Sequence, residues 1–343
     1  MGQARPTQSC RPGSLFPTLP PFRWQARDTI QTAPDLSLAR NDNLKPMNII
    51  TLQPDSQAGE PGYTRYFTYE PTPELTEQLA EAERLKAELD ACRNVDTLAP
   101  KWEALYTRLR YLWTYHSNAI EGSSLSLSDT IFFLQEGLTV EGKPLKEFLD
   151  ARNHAQAIEL LFEFEAQGRP ITEDFLKELN ALLLFGVTET PALDTFGRRT
   201  SKPARPGEYK LRPNHVLLQD GTIHYYAKPE QVASQMAYLC DWLQANENVL
   251  PPVILASLGH YNLVRIHPFD DGNGRGARLL MNCLLMRAGY PPAIVYNEAR
   301  RHYIEAIQSA DQGNMAPFIT FIAQSLNVTQ QEMLNALRAV ADA

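Results

Sequence analysis

The stretch His267-Pro-Phe-Asp-Asp-Gly-Asn-Gly-Arg-Gly-Ala-Arg278 separates two segments with helical periodicity. The preceding helix must stop at Pro268, and an apolar helix follows the glycines. Glycines at the N-terminus of a helix let backbone N–H groups point into a shared concavity, where the helix dipole favours negative charge. The stretch therefore predicts an anion-binding turn between two helices.

Four of the charged or titratable side chains in the same stretch indicate its chemistry. Arg275 and Arg278 are three residues apart, where two guanidinium groups on neighbouring positions of a helix can bind phosphate oxygens. Asp271 places a carboxylate where Mg²⁺ is commonly held by one protein carboxylate, phosphate and water. His267 has an ordinary pKa of about 6.5, which suits a general base. Each feature alone is usually structural, but their combination favours phosphate chemistry.

Helical patterns dominate the chain from Glu74 onward. In the segment 100–121, one side of the predicted helix carries Leu105, Leu109, Leu112, Trp113 and His116. Further helices are predicted at residues 127–135, 144–167, 173–185, 229–246, 251–266, 273–287, 298–311 and 316–339. No segment repeats at a fixed period, which favours a compact bundle over a solenoid.

Residues 207–226 depart from the helical pattern. Val216-Leu-Leu and Thr222-Ile-His-Tyr-Tyr226 have the composition of short strands, and Asp220-Gly221 between them is favoured in a tight turn. The region predicts a β-hairpin. The fold class is therefore predicted to be mainly α, with one hairpin.

Composition narrows the function further. The 343 residues suggest one large domain or two modest ones, and the net charge of −8 argues against a general nucleic-acid surface. The four cysteines form no C-x-x-C pair, so the sequence indicates neither a zinc knuckle nor a disulfide framework, and a cytoplasmic location is expected. No apolar run approaches the roughly 18 residues that span a bilayer, so no membrane partner is expected.

The N-terminal segment 1–46 is rich in Pro, Ser, Gln and Arg and lacks apolar periodicity. It is predicted to be a disordered tail. Met47 as the natural start of the protein is an alternative that the sequence leaves open. Residues 47–71 are interpreted as a lead-in to the first helix.

The run 267–278 matches His-Pro-Phe-x-Asp/Glu-Gly-Asn-Gly-Arg-x-x-Arg, the signature of Fic-domain proteins, at every position. Residues 279–292 and 317–323 also resemble this family, especially the branch that includes the metazoan endoplasmic-reticulum enzyme. The resemblance extends from about residue 72 to residue 326. The repeats and membrane anchor of that enzyme are not expected here.

The resemblance implies a compact Fic-type (Fido) helical bundle with a β-hairpin flap, and an adenylyltransferase that moves AMP from ATP to Ser, Thr or Tyr hydroxyls of a target protein. His267 would deprotonate the hydroxyl, and Asp271 would hold Mg²⁺. The nucleotide would be bound by Gly272, Asn273, Gly274, Arg275, Arg278 and Tyr303. Tyr303 is equally compatible with a place in the core. Asp311 replaces an Asn of the metazoan relative, which leaves the hydrogen bonding to adenine open.

The resemblance also implies a restraint on activity. Ser117-Asn-Ala-Ile-Glu121-Gly122 matches the inhibitory pattern Ser/Thr-x-x-x-Glu-Gly/Asn of the family. Glu121 would pair with Arg278 and withhold it from the γ-phosphate. The hairpin at 207–226 matches the position of the flap, which would pair with the main chain of an extended target segment.

The implied organisation has an N-terminal helical region at 72–168 with the inhibitory helix, a catalytic domain at 169–326 and a C-terminal helical extension at 327–343. The alternatives are removal of AMP in the same pocket, with Glu121 positioning water, transfer of phosphate or phosphocholine, and a silent scaffold that binds nucleotide or partners. Doc-type kinases have Lys at the second glycine of the motif, so Gly274 favours AMP transfer. A homodimer is left open.

Overall fold

Ten α-helices and two β-hairpins make up the part of the protein that the computed structural model describes, residues 66–93, 95, 98–193, 198–217 and 223–339. The predicted mainly helical class is confirmed in these residues. The predicted disordered tail, most of the lead-in and the Asp220-Gly221 turn lie outside them.

The helices are α1 (Pro73–Arg93), α2 (Ala99–Ile120), α3 (Leu127–Glu136), α4 (Leu145–Gln167), α5 (Glu173–Leu183), α6 (Pro229–Asn246), α7 (Pro252–Ile266), α8 (Asn273–Arg287), α9 (Arg300–Asp311) and α10 (Ala316–Arg338). The strands are β1 (Glu189–Leu193), β2 (Arg199–Pro203), β3 (His215–Leu217) and β4 (Ile223–Tyr225). The predicted bounds of α6 and α8 agree with these to the residue, and those of the other helices given a predicted range agree to within two residues.

The central pair of helices is α7 and α8. Thirteen of the 15 residues of α7 and 12 of the 15 of α8 are buried, as expected for helices packed on all sides. Gly259 of α7 faces α8, since a Cβ at this position would lie 3.0 Å from Cδ1 of Leu284 and 3.1 Å from Cδ2 of Leu243. The missing side chain lets the helices approach closely, which fixes the turn that joins them.

The other helices pack around this pair. One hydrophobic cluster includes buried side chains from Tyr66 to Leu337, so α1 and α10 share a core with the central helices. The predicted apolar face of α2 is buried, which confirms the amphipathic pattern at 100–121. A capping box of Ser126 and Asp129 begins α3, and Gly168 in the left-handed region ends α4. The division into regions at 168/169 and 326/327 stays a prediction.

Two antiparallel hairpins connect α5 to α6. The β3–β4 hairpin, with His215 opposite Tyr225, lies within the predicted hairpin region. The β1–β2 hairpin was not predicted from the sequence. Its strands contain Pro191 and Pro203, which are excluded from central strands and tolerated here because both strands of a two-stranded ribbon are edges. Within the described residues, no helix is both long and apolar enough to cross a bilayer.

Candidate active site

The turn between α7 and α8 and the start of α8 hold most of the predicted site residues. His267 ends α7 in the left-handed region, with φ 51° and ψ 58°, and its backbone N–H donates to the carbonyl of Leu263 at 3.0 Å. It is the one non-glycine residue with positive φ in the described chain. Gly272 precedes α8 with φ 78°. Left-handed backbone at a non-glycine residue costs about 1–3 kcal/mol, so the surrounding structure must hold His267 in place.

Asn273 and Asn180 fasten the loop. The Asn273 side chain donates to the carbonyl of Phe269 at 2.8 Å and accepts from the Phe269 N–H at 3.0 Å. Asn180 on α5 donates to the carbonyl of Asp271 at 2.9 Å and accepts from the N–H of Gly207 at 3.0 Å. The side chain of Asn273 therefore holds the turn closed, and its predicted contact with phosphate stays a prediction.

The imidazole of His267 is neutral and has one nitrogen with a free lone pair. Its Nδ1 lies 3.3 Å from the carbonyl of Val264, which can only accept, so Nδ1 carries the proton and Nε2 keeps its lone pair. Burial, assisted by the charge of Lys210, lowers the pKa of His267 to about 3. The ring is therefore neutral at physiological pH, as a general base requires.

Arg275 and Arg278 are buried, with 3% and 2% of their surfaces exposed, so they do not belong to a solvated helix face. Nη1 of Arg275 lies 2.8 Å from Oδ1 of Asp150 on α4, at an angle that makes an ion pair rather than a hydrogen bond. Asp150 also pairs with Lys146 at 2.7 Å. Burying an unpaired guanidinium is costly, so the ion pair with Asp150 explains how Arg275 can be buried.

Arg278 joins α8 to the end of α2. Its Nε and Nη2 donate to Oγ and the carbonyl of Ser117 at 3.0 and 2.8 Å, and Nη2 also donates to Oε1 of Glu121 at 2.7 Å. The predicted pairing of Glu121 with Arg278 is thus present in the structure. What this pair does to activity belongs to the proposal below.

The carboxylate of Glu121 lies directly over the glycine turn. A Cβ on Gly274 would stand 2.3 Å from Oε1 of Glu121, so only glycine leaves room for the carboxylate there. Burial raises the pKa of Glu121, but its ion pair with Arg278 and the charge of Arg275 outweigh burial and hold this pKa below its usual range. An anion therefore already occupies the turn at the N-terminus of α8.

The carboxylate of Asp271 can supply an oxygen ligand to a cation. Its Oδ1 accepts from the N–H of Gly272 at 2.6 Å and lies 3.7 Å from Nη2 of Arg275, with 28% of the side chain exposed. The described residues include no group of three or more His, Cys, Asp or Glu able to hold a metal alone. A single carboxylate fits Mg²⁺ that is bound mainly by phosphate oxygens and water.

Tyr303 and Asp311 lie on α9. Tyr303 is 2% exposed, packs against Phe318 and has its hydroxyl 2.8 Å from Nε2 of His260, so it belongs to the core. Its predicted contact with adenine stays a prediction. Oδ1 of Asp311 accepts from the hydroxyl of Tyr261 at 2.9 Å.

Three residues around the site were missed by sequence reasoning. Asp150 pairs with Arg275, Lys210 contacts the residues that flank His267, and Tyr226 stacks on the imidazole. The Lys146–Asp150 spacing of four is the only local signal for Asp150 that we find. Lys210 and Tyr226 lie within the predicted hairpin region but have no motif of their own.

A cavity in the structure lies away from this site. A cavity of about 660 Å³ lies between α2 and α3, lined by residues such as Thr107, Tyr111 and Ile131. None of its lining residues belongs to the run 267–278.

The central turn of the bundle combines a left-handed histidine, a left-handed glycine before α8 and two buried arginines. Residues 170–285 match the model of the Fic/DOC family, so the chain carries a domain of that family.

Curated relatives agree with this assignment. The protein adenylyltransferase Fic of Nematostella vectensis is 36% identical over 212 residues, which cover 61% of this chain and 45% of the relative. The protein adenylyltransferase fic-1 of Caenorhabditis elegans is 32% identical over 237 residues, which cover 68% of this chain and 42% of the relative. The chain thus spans less than half the length of these relatives.

Two solved structures are similar in fold. A Fic-domain-containing signalling protein from Bacteroides thetaiotaomicron has a TM-score of 0.66 and 29% identity, covering 76% of this chain and 97% of its own. Fic-1 from C. elegans has a TM-score of 0.64 and 26% identity, covering 77% of this chain and 73% of its own.

Proposed function

We propose that the protein transfers AMP from ATP to a Ser, Thr or Tyr hydroxyl of a target protein. The observation that carries this proposal is the occupied anion hole: the Glu121 carboxylate lies over Gly274 and is held by Arg278, four residues along the helix. A turn at a helix N-terminus that accommodates a carboxylate beside a glycine and a buried guanidinium has the chemistry to bind a phosphate. The adenylyltransferase names of the relatives support AMP as the transferred group.

His267 is the proposed general base. Its Nε2 takes the proton of the acceptor hydroxyl, whose oxygen forms a bond to the α-phosphorus of ATP while the bond from that phosphorus to pyrophosphate breaks. The neutral ring and the Nδ1 contact with Val264 support this role. Arg275 lies beside Asp271 and would neutralise charge on the leaving group, while Asp271 would hold Mg²⁺. When bound, Mg²⁺ supplies charge neutralisation on the phosphates.

Glu121 is the proposed inhibitor. Its carboxylate competes with the γ-phosphate for Arg278, so the productive ATP pose requires the ion pair to open. Opposite charges about 4 Å apart attract by roughly 4 kcal/mol at an effective dielectric of 20. Because 44% of the Glu121 side chain is exposed, solvent screening weakens this attraction. A net effect of about 2 kcal/mol still suppresses the competent state about thirtyfold.

The β3–β4 hairpin is the proposed binding site for the target. It leads directly into Tyr226, whose ring lies on His267, so a segment paired with this hairpin would pass the imidazole. Tyr225 on β4 is 68% exposed and free to contact a partner. A cytoplasmic location and a homodimer stay predictions from the sequence.

The test is transfer of radiolabel with the full chain carrying Glu121→Gly. With α-labelled ATP and Mg²⁺, label should become covalently attached to protein in a cell lysate, and mass spectrometry should identify an added AMP. With γ-labelled ATP no label should be retained. His267→Ala in the same background is the matched control and should remain unlabelled.

Other outcomes would reject the proposal. Retained γ-label would indicate phosphate transfer. ATP binding in calorimetry without any labelling would indicate a silent scaffold. Loss of AMP from a target adenylylated beforehand, caused by the chain that keeps Glu121 and without forward labelling by Glu121→Gly, would indicate removal of AMP in the same pocket.

A further inference from the structure

Lys210, outside the run 267–278, bonds to the residues on both sides of His267. Its backbone N–H donates to the carbonyl of Pro268 at 2.8 Å. Its side-chain Nζ donates to the carbonyl of Ile266 at 3.2 Å. One lysine therefore bonds to the carbonyl groups of the residues immediately before and immediately after the histidine.

Tyr226 holds the imidazole itself. Its ring stacks on His267 with centroids 3.8 Å apart and an angle of 17° between the planes. Nζ of Lys210 lies 5.9 Å from the centroid of the Tyr226 ring, within the range of a cation–π contact. Lys210, Tyr226 and His267 thus form a stack, which we name the His267 brace.

The strained backbone of His267 needs contacts that hold it in place. His267 adopts a left-handed conformation that costs about 1–3 kcal/mol for a non-glycine residue and persists only where other contacts enforce it. The His267 N–H bonds to Leu263 and its ring stacks on Tyr226, while Lys210 bonds to the carbonyls of the residues on either side of it.

Burial of Lys210 also points to a specific role. The residue is 2% exposed, and a buried ammonium is costly unless it is paired. Burial, reinforced by the nearby charge of Lys202 and partly offset by Asp270, lowers the pKa of Lys210 to about 8. An apolar side chain would avoid this cost. The Ile266 carbonyl and the face of the Tyr226 ring are what the ammonium contacts in return.

We propose that Lys210, together with Tyr226, is a positioning residue for His267: it fixes the backbone and the ring so that Nε2 is the free, unprotonated nitrogen. The kinetic consequence rests on the proposed function, whereas the effect on the histidine does not. Lys210 acts through His267 and contacts no reacting atom.

The test compares Lys210→Met with a matched control in the full chain carrying Glu121→Gly. Lys86→Met is the control, because Lys86 is a partly buried lysine whose Nζ also lies near a tyrosine ring, 5.6 Å from that of Tyr290, but on α1 away from the site. Lys210→Met should lower kcat for AMP transfer at least tenfold and leave KM for ATP within about twofold, while Lys86→Met should leave both unchanged.

A spectroscopic measurement separates positioning from transfer. In ¹⁵N-histidine NMR of the parent protein, His267 should show one tautomer with the proton on Nδ1. Lys210→Met should give a mixture of tautomers and raise the imidazole pKa, since burial and the ammonium charge both keep it low. Lys210→Gln retains an N–H donor for Ile266 and should recover part of kcat.

Each remaining outcome decides the proposal. If Lys210→Met lowers the melting temperature but leaves kcat and the Nδ1–H tautomer unchanged, Lys210 only caps α7 and the proposal is wrong. If Lys210→Met does not fold, the tautomer in Lys210→Gln and Tyr226→Leu decides, and an unchanged histidine spectrum in both rejects the brace. If the Glu121→Gly parent transfers no AMP, the proposed function fails, and the histidine spectrum still tests Lys210.

Discussion

The two partners of the Glu121–Arg278 ion pair lie in contrasting surroundings. The Arg278 side chain is 3% exposed on a helix buried along its length, and it keeps two bonds to Ser117 besides the one to Glu121. The Glu121 side chain is 44% exposed and follows the last residue of α2. Disrupting Arg278 would disturb the core, whereas Glu121 can withdraw from the pair by rotation of one exposed side chain.

This contrast separates a fixed part, which we propose to be catalytic, from a movable part, which we propose to be inhibitory. The fixed part is built from buried groups whose positions are set by the packing of α7 on α8. The movable part is held at the end of α2, where Arg300 donates to the carbonyl of Ile120 at 2.8 Å. An inhibitor placed in this way can be released without unfolding the site that it covers.

The largest expected effect is on the fixed part. His267→Ala in the Glu121→Gly background should lower the rate of AMP transfer by about 10² to 10⁴, the usual contribution of a general base. Nucleotide affinity in calorimetry should stay nearly the same, because the imidazole acts on the hydroxyl. Transfer within about threefold of the parent would remove His267 from the proposed mechanism.

The next effect tests the movable part. Glu121→Gly should raise transfer to target and to the protein itself at least tenfold, and about thirtyfold for a net interaction of 2 kcal/mol. Glu141→Gly, at another exposed glutamate in a loop, is the control and should leave the rate unchanged. Unchanged transfer in Glu121→Gly, with His267→Ala still inactive, would keep the site and reject the inhibition.

A smaller effect is expected at Asp271, which is partly exposed yet belongs to the catalytic turn. Asp271→Ala should weaken ATP binding about tenfold in the presence of Mg²⁺, on the order of the loss that follows a disturbed metal ligand. Binding measured with EDTA should change much less. Equal affinities of the variant and the parent for Mg·ATP in calorimetry would show that another group holds the metal.

The smallest effect concerns pH and stability. Burial lowers the pKa values of His267 and His260 to about 3 each, from an ordinary 6.5, so the unfolded chain binds more protons than the folded one between these values. The contribution of these two histidines to the free energy of unfolding is therefore complete above pH 6.5. It decreases as the pH falls toward 3, by up to about 1.4 kcal/mol per pH unit for each group.

Urea denaturation at pH 7 and pH 5 measures this slope. His267→Gln should make the loss of stability between the two pH values smaller, because one buried neutral imidazole is gone. The control His302→Gln, at an exposed histidine on α9, should leave the slope unchanged. An equal slope in His267→Gln and the parent would mean that His267 titrates normally in the folded protein.

Sequence reasoning succeeded where the relevant residues are neighbours along the chain. The bounds of α8, the glycine turn and the spacing of Arg275 and Arg278 follow from helical periodicity and from the conformations open to Gly and Pro. The Glu121–Arg278 pair spans 157 residues, and it was predicted only because the motif around Glu121 resembles the inhibitory pattern of the family.

Other features could be found only in the folded molecule. Nothing in the local sequence marks Lys210 as a partner of Ile266, 56 residues away, or Asp150 as the partner of Arg275. The first hairpin was not predicted, because prolines in β1 and β2 are untypical of strands. The sequence by itself determined the helices, the turn and the chemical groups within it, because these depend on residues one to four positions apart. The tertiary structure decided which distant side chains brace, neutralise and cover that turn, because such contacts depend on how whole helices pack.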